Sequence, residues 1–197
     1  MFTGLIKDIG IIEIIEKKPG SILVGIKTKL NLNQIQIGSS ISCNGCCLTL
    51  IKKEGINLFF EISNETISCT NLKNWKMGSL VNLEESLKIG DEIGGHLVTG
   101  HVDCTAEVVR RYIDGDSIRF KFKIDNKYSK FVAKKGSVAI DGVSLTVNNI
   151  EKDNFDVNII PHTLEKTNFH KLQINDTVNI EVDLISRYVE RLLPKNN

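Results

Sequence analysis

Apolar residues in this chain fall in short runs separated by polar punctuation. Residues 9–15, 22–26, 39–43, 48–52, 56–62 and 80–83 are rich in Ile, Val, Leu and Phe and are bounded by Gly, Pro, Asn or Lys. That pattern predicts β-strands. Short helical turns are expected at 65–69 and, in the second half, after Thr163. The last apolar segment, 184–193, spaces its apolar residues at three and four, as a helix does.

The strand pattern occurs twice. Displacing the chain by 97 positions lays Asn44-Gly45-Cys46-Cys47-Leu48-Thr49 on Asp141-Gly142-Val143-Ser144-Leu145-Thr146. The same shift lays Glu65-Thr66 on His162-Thr163, Thr70-Asn71 on Thr167-Asn168, and Val81-Asn82-Leu83-Glu84 on Val178-Asn179-Ile180-Glu181. A shift of 96 lays Phe2-Thr3-Gly4-Leu5-Ile6 on Val98-Thr99-Gly100-His101-Val102. Several blocks in one register mean duplication. Gly90, Gly94 and Gly95 mark the junction, so the expected domains are 1–90 and 91–183, followed by a C-terminal helix and tail over 184–197. Short antiparallel strands must hide their edges, and closing each copy into a small barrel does so. The expected fold class is all-β: two similar six-stranded antiparallel β-barrels from an internal duplication, plus a C-terminal α-helix. That helix has two readings, lying across its own barrel or packing against copies of itself in an oligomer.

Composition narrows the function. The 25 basic and 24 acidic side chains nearly cancel and form no like-charge block, so no footprint for nucleic acid or anionic membrane is expected. No apolar run approaches the roughly 20 residues needed to span a bilayer. Five cysteines without a leader segment suggest reduced thiols and a cytoplasmic protein. The Cys43-x-x-Cys46 spacing lacks a second ligand pair, and Ile140 and Val143 replace it in the other copy, so no metal is expected. His96 and His170 read as surface or linker residues.

Four motifs in order resemble the riboflavin synthase family: Met1-Phe2-Thr3-Gly4, Asn44-Gly45-Cys46-Cys47-Leu48-Thr49, Gly94-Gly95-His96-Leu97-Val98-Thr99-Gly100-His101-Val102-Asp103, and Asp141-Gly142-Val143-Ser144-Leu145-Thr146-Val147. The likeness runs from Met1 to about Val189. This resemblance implies Greek-key barrels and a homotrimer assembled through the C-terminal helices. It implies a transferase that needs no cofactor: two molecules of 6,7-dimethyl-8-ribityllumazine give riboflavin and 5-amino-6-(ribitylamino)uracil by transfer of a four-carbon unit. Each site would hold two lumazines, between the first barrel of one chain and the second barrel of its neighbour. Lumazine synthase is a candidate partner.

Carried over residue by residue, the implied substrate-binding positions in copy one are Gly4, Leu5, Ile6, Cys47, Leu48, Thr49, Glu61, Ile62, Ser63, Asn64, Glu65 and Thr66. In copy two they are Gly100, His101, Val102, Lys135, Ser144, Leu145, Thr146, Asn158, Ile159, Ile160, Pro161, His162 and Thr163. Donor and acceptor must be treated differently, and the copies diverge where Leu5 matches His101, Asn44 matches Asp141, Cys47 matches Ser144 and Glu65 matches His162. The catalytic candidates are therefore Ser144, His101, Cys47 and Asp141. The working assignment gives His101, Asp141 and Ser144 to addition at carbon 7, and Cys47 and Glu65 to the partner whose 7-methyl loses a proton; the reverse stays open.

Each candidate also has a plain structural reading. Asp141 before a glycine is ordinarily a turn former. Cys46 and Cys47 are adjacent on a strand, so only one can line a pocket, and a buried cysteine is usually inert. Lys135 is either a solvated strand end or a ligand for a pteridine carbonyl. Two other classes compete: a non-catalytic lumazine- or flavin-binding antenna protein, which would let one pocket decay, and a flavin reductase, which would need a glycine-rich nucleotide-binding unit that the chain lacks.

Overall fold

Strands form where the apolar runs lie, and they close on themselves twice. The computed structural model describes residues 1–194; the end of the expected tail, 195–197, lies outside them. The first copy contains β1 (Asp8–Lys18), β2 (Ser21–Lys27), β3 (Ser40–Cys43), β4 (Cys46–Glu54), β5 (Asn57–Ser63), α1 (Asn64–Cys69) and β6 (Leu80–Glu85). The second contains β7 (Cys104–Asp114), β8 (Ser117–Ile124), α2 (Asn126–Ser129), β9 (Ser137–Ile140), β10 (Val143–Glu151), β11 (Asn154–Ile159), α3 (Pro161–Lys166) and β12 (Thr177–Val182), and α4 (Leu184–Leu192) follows. Both copies close in one order, β1-β2-β5-β4-β3-β6 and β7-β8-β11-β10-β9-β12, with every pairing antiparallel.

Alternation along the strands sends every second apolar side chain inward. Ile12, Ile26, Leu50 and Phe60 fill the first barrel. The second is filled by an aromatic stack in which Phe120, Phe122 and Phe155 sit at 5.5–6.0 Å and Phe169 meets Phe120 edge-on at 5.6 Å. These interiors are packed cores, so a ligand site must lie on an outer wall.

The barrels meet through two hairpin tips and a set of carboxamides. Asn44-Gly45 and Asp141-Gly142 turn the chain with positive φ at all four residues, the geometry that favours Asn-Gly and Asp-Gly in hairpins. The glycines approach closely: a Cβ on Gly45 would lie 2.7 Å from the Gly142 nitrogen. Around them Asn82 Nδ2 donates to the Asp141 carbonyl at 3.0 Å, and Asn179 Nδ2 donates to the Asn44 carbonyl at 2.8 Å. Asn168 N–H donates to Asn82 Oδ1 and Asn71 N–H to Asn179 Oδ1, at 2.7 and 2.6 Å. The seam is thus polar, buried and nearly symmetric.

Of the two readings for α4, neither is complete in one chain. Arg187 pairs with Asp103, and Lys130 with Glu190, which tethers the helix to the second barrel. Its apolar residues Ile185, Tyr188, Val189 and Leu192 nevertheless remain exposed.

Candidate functional site

Two short straps build the site by crossing between barrels. Phe2 and Val98 exchange backbone hydrogen bonds of 2.7 and 3.0 Å. Past this crossing each strap makes a left-handed turn at glycine, with φ of 78° at Gly4 and 80° at Gly100. The first strap runs onto the second barrel, where Ser144 N–H donates to the Gly4 carbonyl at 2.9 Å. The second runs onto the first barrel, where Cys47 N–H donates to the Gly100 carbonyl at 2.8 Å. A Cβ on Gly4 would stand 2.5 Å from Ser144 Cβ, and one on Gly100 would stand 2.6 Å from Cys47 Cβ. Side chains are excluded at both crossings.

Two grooves result. Groove one, about 310 Å³, is lined by Cys46, Cys47, Glu65, Thr66, Cys69, Thr70, Gly100, His101 and Val102. Groove two, about 210 Å³, is lined by Gly4, Leu5, Ile6, Val143, Ser144, His162, Thr163, Lys166 and Thr167. Larger hollows of about 420 and 440 Å³ open beside the 84–94 segment and beside β7 and β8. Their linings do not correspond under the repeat, whereas those of the grooves do, so we place the site in the grooves.

This crossing regroups the sequence-derived sets. Gly4, Leu5 and Ile6, placed with copy one, line the groove of copy two, and Gly100, His101 and Val102 line the groove of copy one. His101 therefore shares a groove with Cys47 and Glu65, while Leu5 and His162 accompany Ser144. The physical reason is the crossing at Phe2 and Val98, which self-alignment of the repeat does not register.

Other candidates occupy varied positions. Asp141 lies in the seam between barrels, fully enclosed, with Oδ1 accepting from Asn179 N–H and Asn71 Nδ2 and Oδ2 accepting from Asn168 Nδ2 at 2.7–3.0 Å. It lines neither groove. Burial pushes its carboxyl up to about 7, against the pull of those donors. Leu48, Ile62 and Ile159 point into barrel cores, and Leu145 packs partly against one. Thr49 and Thr146 are exposed two residues beyond Cys47 and Ser144. Glu61 is exposed and bonded to Ser21 and Lys18, which hold its carboxyl below the usual range. Ser63 caps α1 ahead of Asn64 by accepting from Thr66 N–H, while Ile160 and Pro161 open α3 without a side-chain cap. Asn158 is half-buried with an unpartnered Oδ1, and Lys135 is exposed in a left-handed turn. Cys46 points into the core, where burial pushes its thiol up to about 12, so Cys47 is the groove-facing member of the pair.

His96 corrects its reading as a surface or linker residue. It is half-buried, and its Nδ1 lies 2.7 Å from Ser144 Oγ. Burial lowers its pKa below the ordinary histidine value, with Asp183 pulling the other way. In the Nε2–H tautomer the neutral ring accepts the serine proton at Nδ1. Gly95 permits this approach, since a Cβ there would strike the Thr3 carbonyl oxygen and Ser144. Among the described residues no group of three His, Cys, Asp or Glu side chains gathers as a metal site.

The profile of the lumazine binding domain family matches residues 3–86 and 99–183, one match per barrel. The chain belongs to the lumazine binding domain family. Similar members include riboflavin synthase of Brucella abortus (strain 2308), 44% identical over 197 residues, covering 98% of both chains. Riboflavin synthase of Photobacterium phosphoreum is 40% identical over 98% of this chain and 89% of its own, and that of Bacillus subtilis (strain 168) is 37% identical over 100% and 92%. Solved structures of LumP with riboflavin and with 6,7-dimethyl-8-(1'-D-ribityl) lumazine superpose with TM-scores of 0.86 and 0.84 at 26% identity, covering 92% of this chain and 99% of theirs.

Proposed function

We propose that the protein performs the riboflavin synthase reaction, joining two molecules of 6,7-dimethyl-8-ribityllumazine so that a four-carbon unit passes from one to the other. Riboflavin and 5-amino-6-(ribitylamino)uracil are the products. The observation that carries this reading is the pair of grooves, built alike on both barrels, each completed by a strap from the other copy. A reaction between twin molecules needs twin receptors. Holding two rings at near-attack distance removes on the order of 7–11 kcal/mol from a bimolecular barrier.

The grooves divide the remaining work. Groove two, where the His96–Ser144 pair polarises a hydroxyl, suits the lumazine that takes up a nucleophile or water at carbon 7. Groove one, with Cys47, Glu65 and His101, suits the partner whose 7-methyl gives up a proton. Asp141 has no part in this division; it joins the barrels. The exposed apolar side of α4 offers a face on which copies of the chain can pack; the homotrimer, first barrel to the neighbour's second barrel, is what the family resemblance implies.

Incubating the purified protein with the lumazine alone tests the proposal. Riboflavin fluorescence should appear without added cofactor or metal, with two lumazines consumed per riboflavin. Bound lumazine without turnover would favour the antenna reading. Ser144→Ala and Cys47→Ala should each lower kcat about tenfold or more, the loss of one transition-state hydrogen bond. Unfolding free energy should move by less than about 1 kcal/mol, since both side chains are only half-buried. Unchanged rates in both would remove these residues from the mechanism.

A further inference from the structure

We propose that Glu84 and Glu181 are crossed positioning residues: each carboxylate, rooted in one barrel, fixes the strap that completes the groove on the other barrel. The grooves' role as ligand sites rests on the function proposed above; the strap geometry does not.

Glu84 on β6 and Glu181 on β12 are repeat counterparts, and both are buried. Glu84 Oε1 accepts from Thr3 N–H and from the Thr3 hydroxyl at 2.7 Å each, and Oε2 accepts from Gly4 N–H at 3.0 Å. Glu181 Oε1 accepts from Thr99 N–H at 2.6 Å and the Thr99 hydroxyl at 2.7 Å, and Oε2 from Gly100 N–H at 2.8 Å. Three donors converge on each side chain. A carboxylate offers acceptors at both oxygens, whereas glutamine would turn an NH₂ toward one of the donors.

Each threonine hydroxyl then relays the constraint onward. Thr3 Oγ1 accepts from Leu5 N–H at 3.2 Å, and Thr99 Oγ1 from His101 N–H at 3.3 Å. Leu5 enters groove two and His101 enters groove one. A carboxylate in the second barrel thereby sets a residue in the first barrel's groove, and the reverse holds for Glu84. The two copies of this chain retain the Thr, Gly and Glu of the device while differing in what it presents, Leu5 against His101. Plain core packing would not require a buried carboxylate at either place.

Cys47 provides a readout that needs no ligand, because it is half-buried beneath the second strap, while Cys69 in the same groove is exposed. In the full-length protein, alkylation of each thiol by iodoacetamide is followed by peptide mass spectrometry. Glu181→Gln should loosen the strap and speed Cys47 modification about tenfold relative to Cys69, as local opening becomes less costly. Glu84→Gln, which frees the other strap, should change that ratio far less, through the Phe2–Val98 contact alone. Glu181→Gln should also raise KM for the lumazine more than it lowers kcat, and Glu181→Asp should recover part of the loss. Should Glu181→Gln fail to fold, Thr99→Val keeps the carboxylate and should still speed Cys47 modification. An equal response to Glu84→Gln and Glu181→Gln, or none to Glu181→Gln and Thr99→Val, would overturn the proposal. Absence of lumazine turnover with the alkylation pattern intact would overturn only the function.

Discussion

Phe2→Ala is expected to cost about 3–5 kcal/mol of stability, the range for emptying a buried aromatic site, and to lower turnover at least about a hundredfold through misplaced straps. Phe2 is fully buried beside Val98, Ala139 and Cys47 at the point where the straps cross. Its backbone pairs with Val98, so the residue anchors one strap directly and the other by contact. Both grooves should loosen together. Phe2→Leu, which retains most of the apolar volume, should recover much of both quantities. Denaturant unfolding and steady-state rates measure the two effects, and a folded Phe2→Ala protein with undiminished turnover would show that the crossing does not organise the grooves.

Stability should decline as pH rises from about 4 to about 7, and Asp141→Asn should remove much of that decline. The Asp141 carboxyl moves from an ordinary value of 3.8 to about 7 in the folded protein. A group whose folded pKa is raised favours the native state fully below its unfolded pKa, and that contribution is lost as pH rises through the folded pKa. A shift of this size corresponds to about 4 kcal/mol. His96, whose pKa is lowered, acts in the opposite direction as pH falls, so the difference between wild type and variant isolates Asp141. Asn44 already fills the matching place in the first copy, where its Oδ1 accepts from Asn82 N–H at 2.7 Å. Urea midpoints at several pH values provide the test; parallel curves for the two proteins would exclude Asp141 as the source.

The barrels were legible because apolar alternation, turn residues and the repeat all pointed the same way. Asn44-Gly45 and Asp141-Gly142 even mark the hairpins that meet in the seam. Only part of the groove lining was legible, Gly4, Leu5, Ile6, Cys47, Glu65, Thr66 and their counterparts, and its grouping was not. Self-alignment pairs Gly4 with Gly100 correctly, yet it carries no information about which barrel each strap rests on. The link from His96 to Ser144 spans 48 residues and depends on Gly95 approaching Thr3, so a histidine beside glycines reads as linker. Glu84 and Glu181 were visible only as markers of register. An acidic residue retained in both copies within an apolar strand was the available signal.

The position of bound ligand is the most direct test of the twin grooves. A crystal structure with a non-reacting lumazine analogue should show one molecule against Cys47, Thr66 and His101 and another against Ser144, Thr163 and Leu5. A molecule inside a barrel, or one held by His101 together with Ser144 of the same chain, would contradict it.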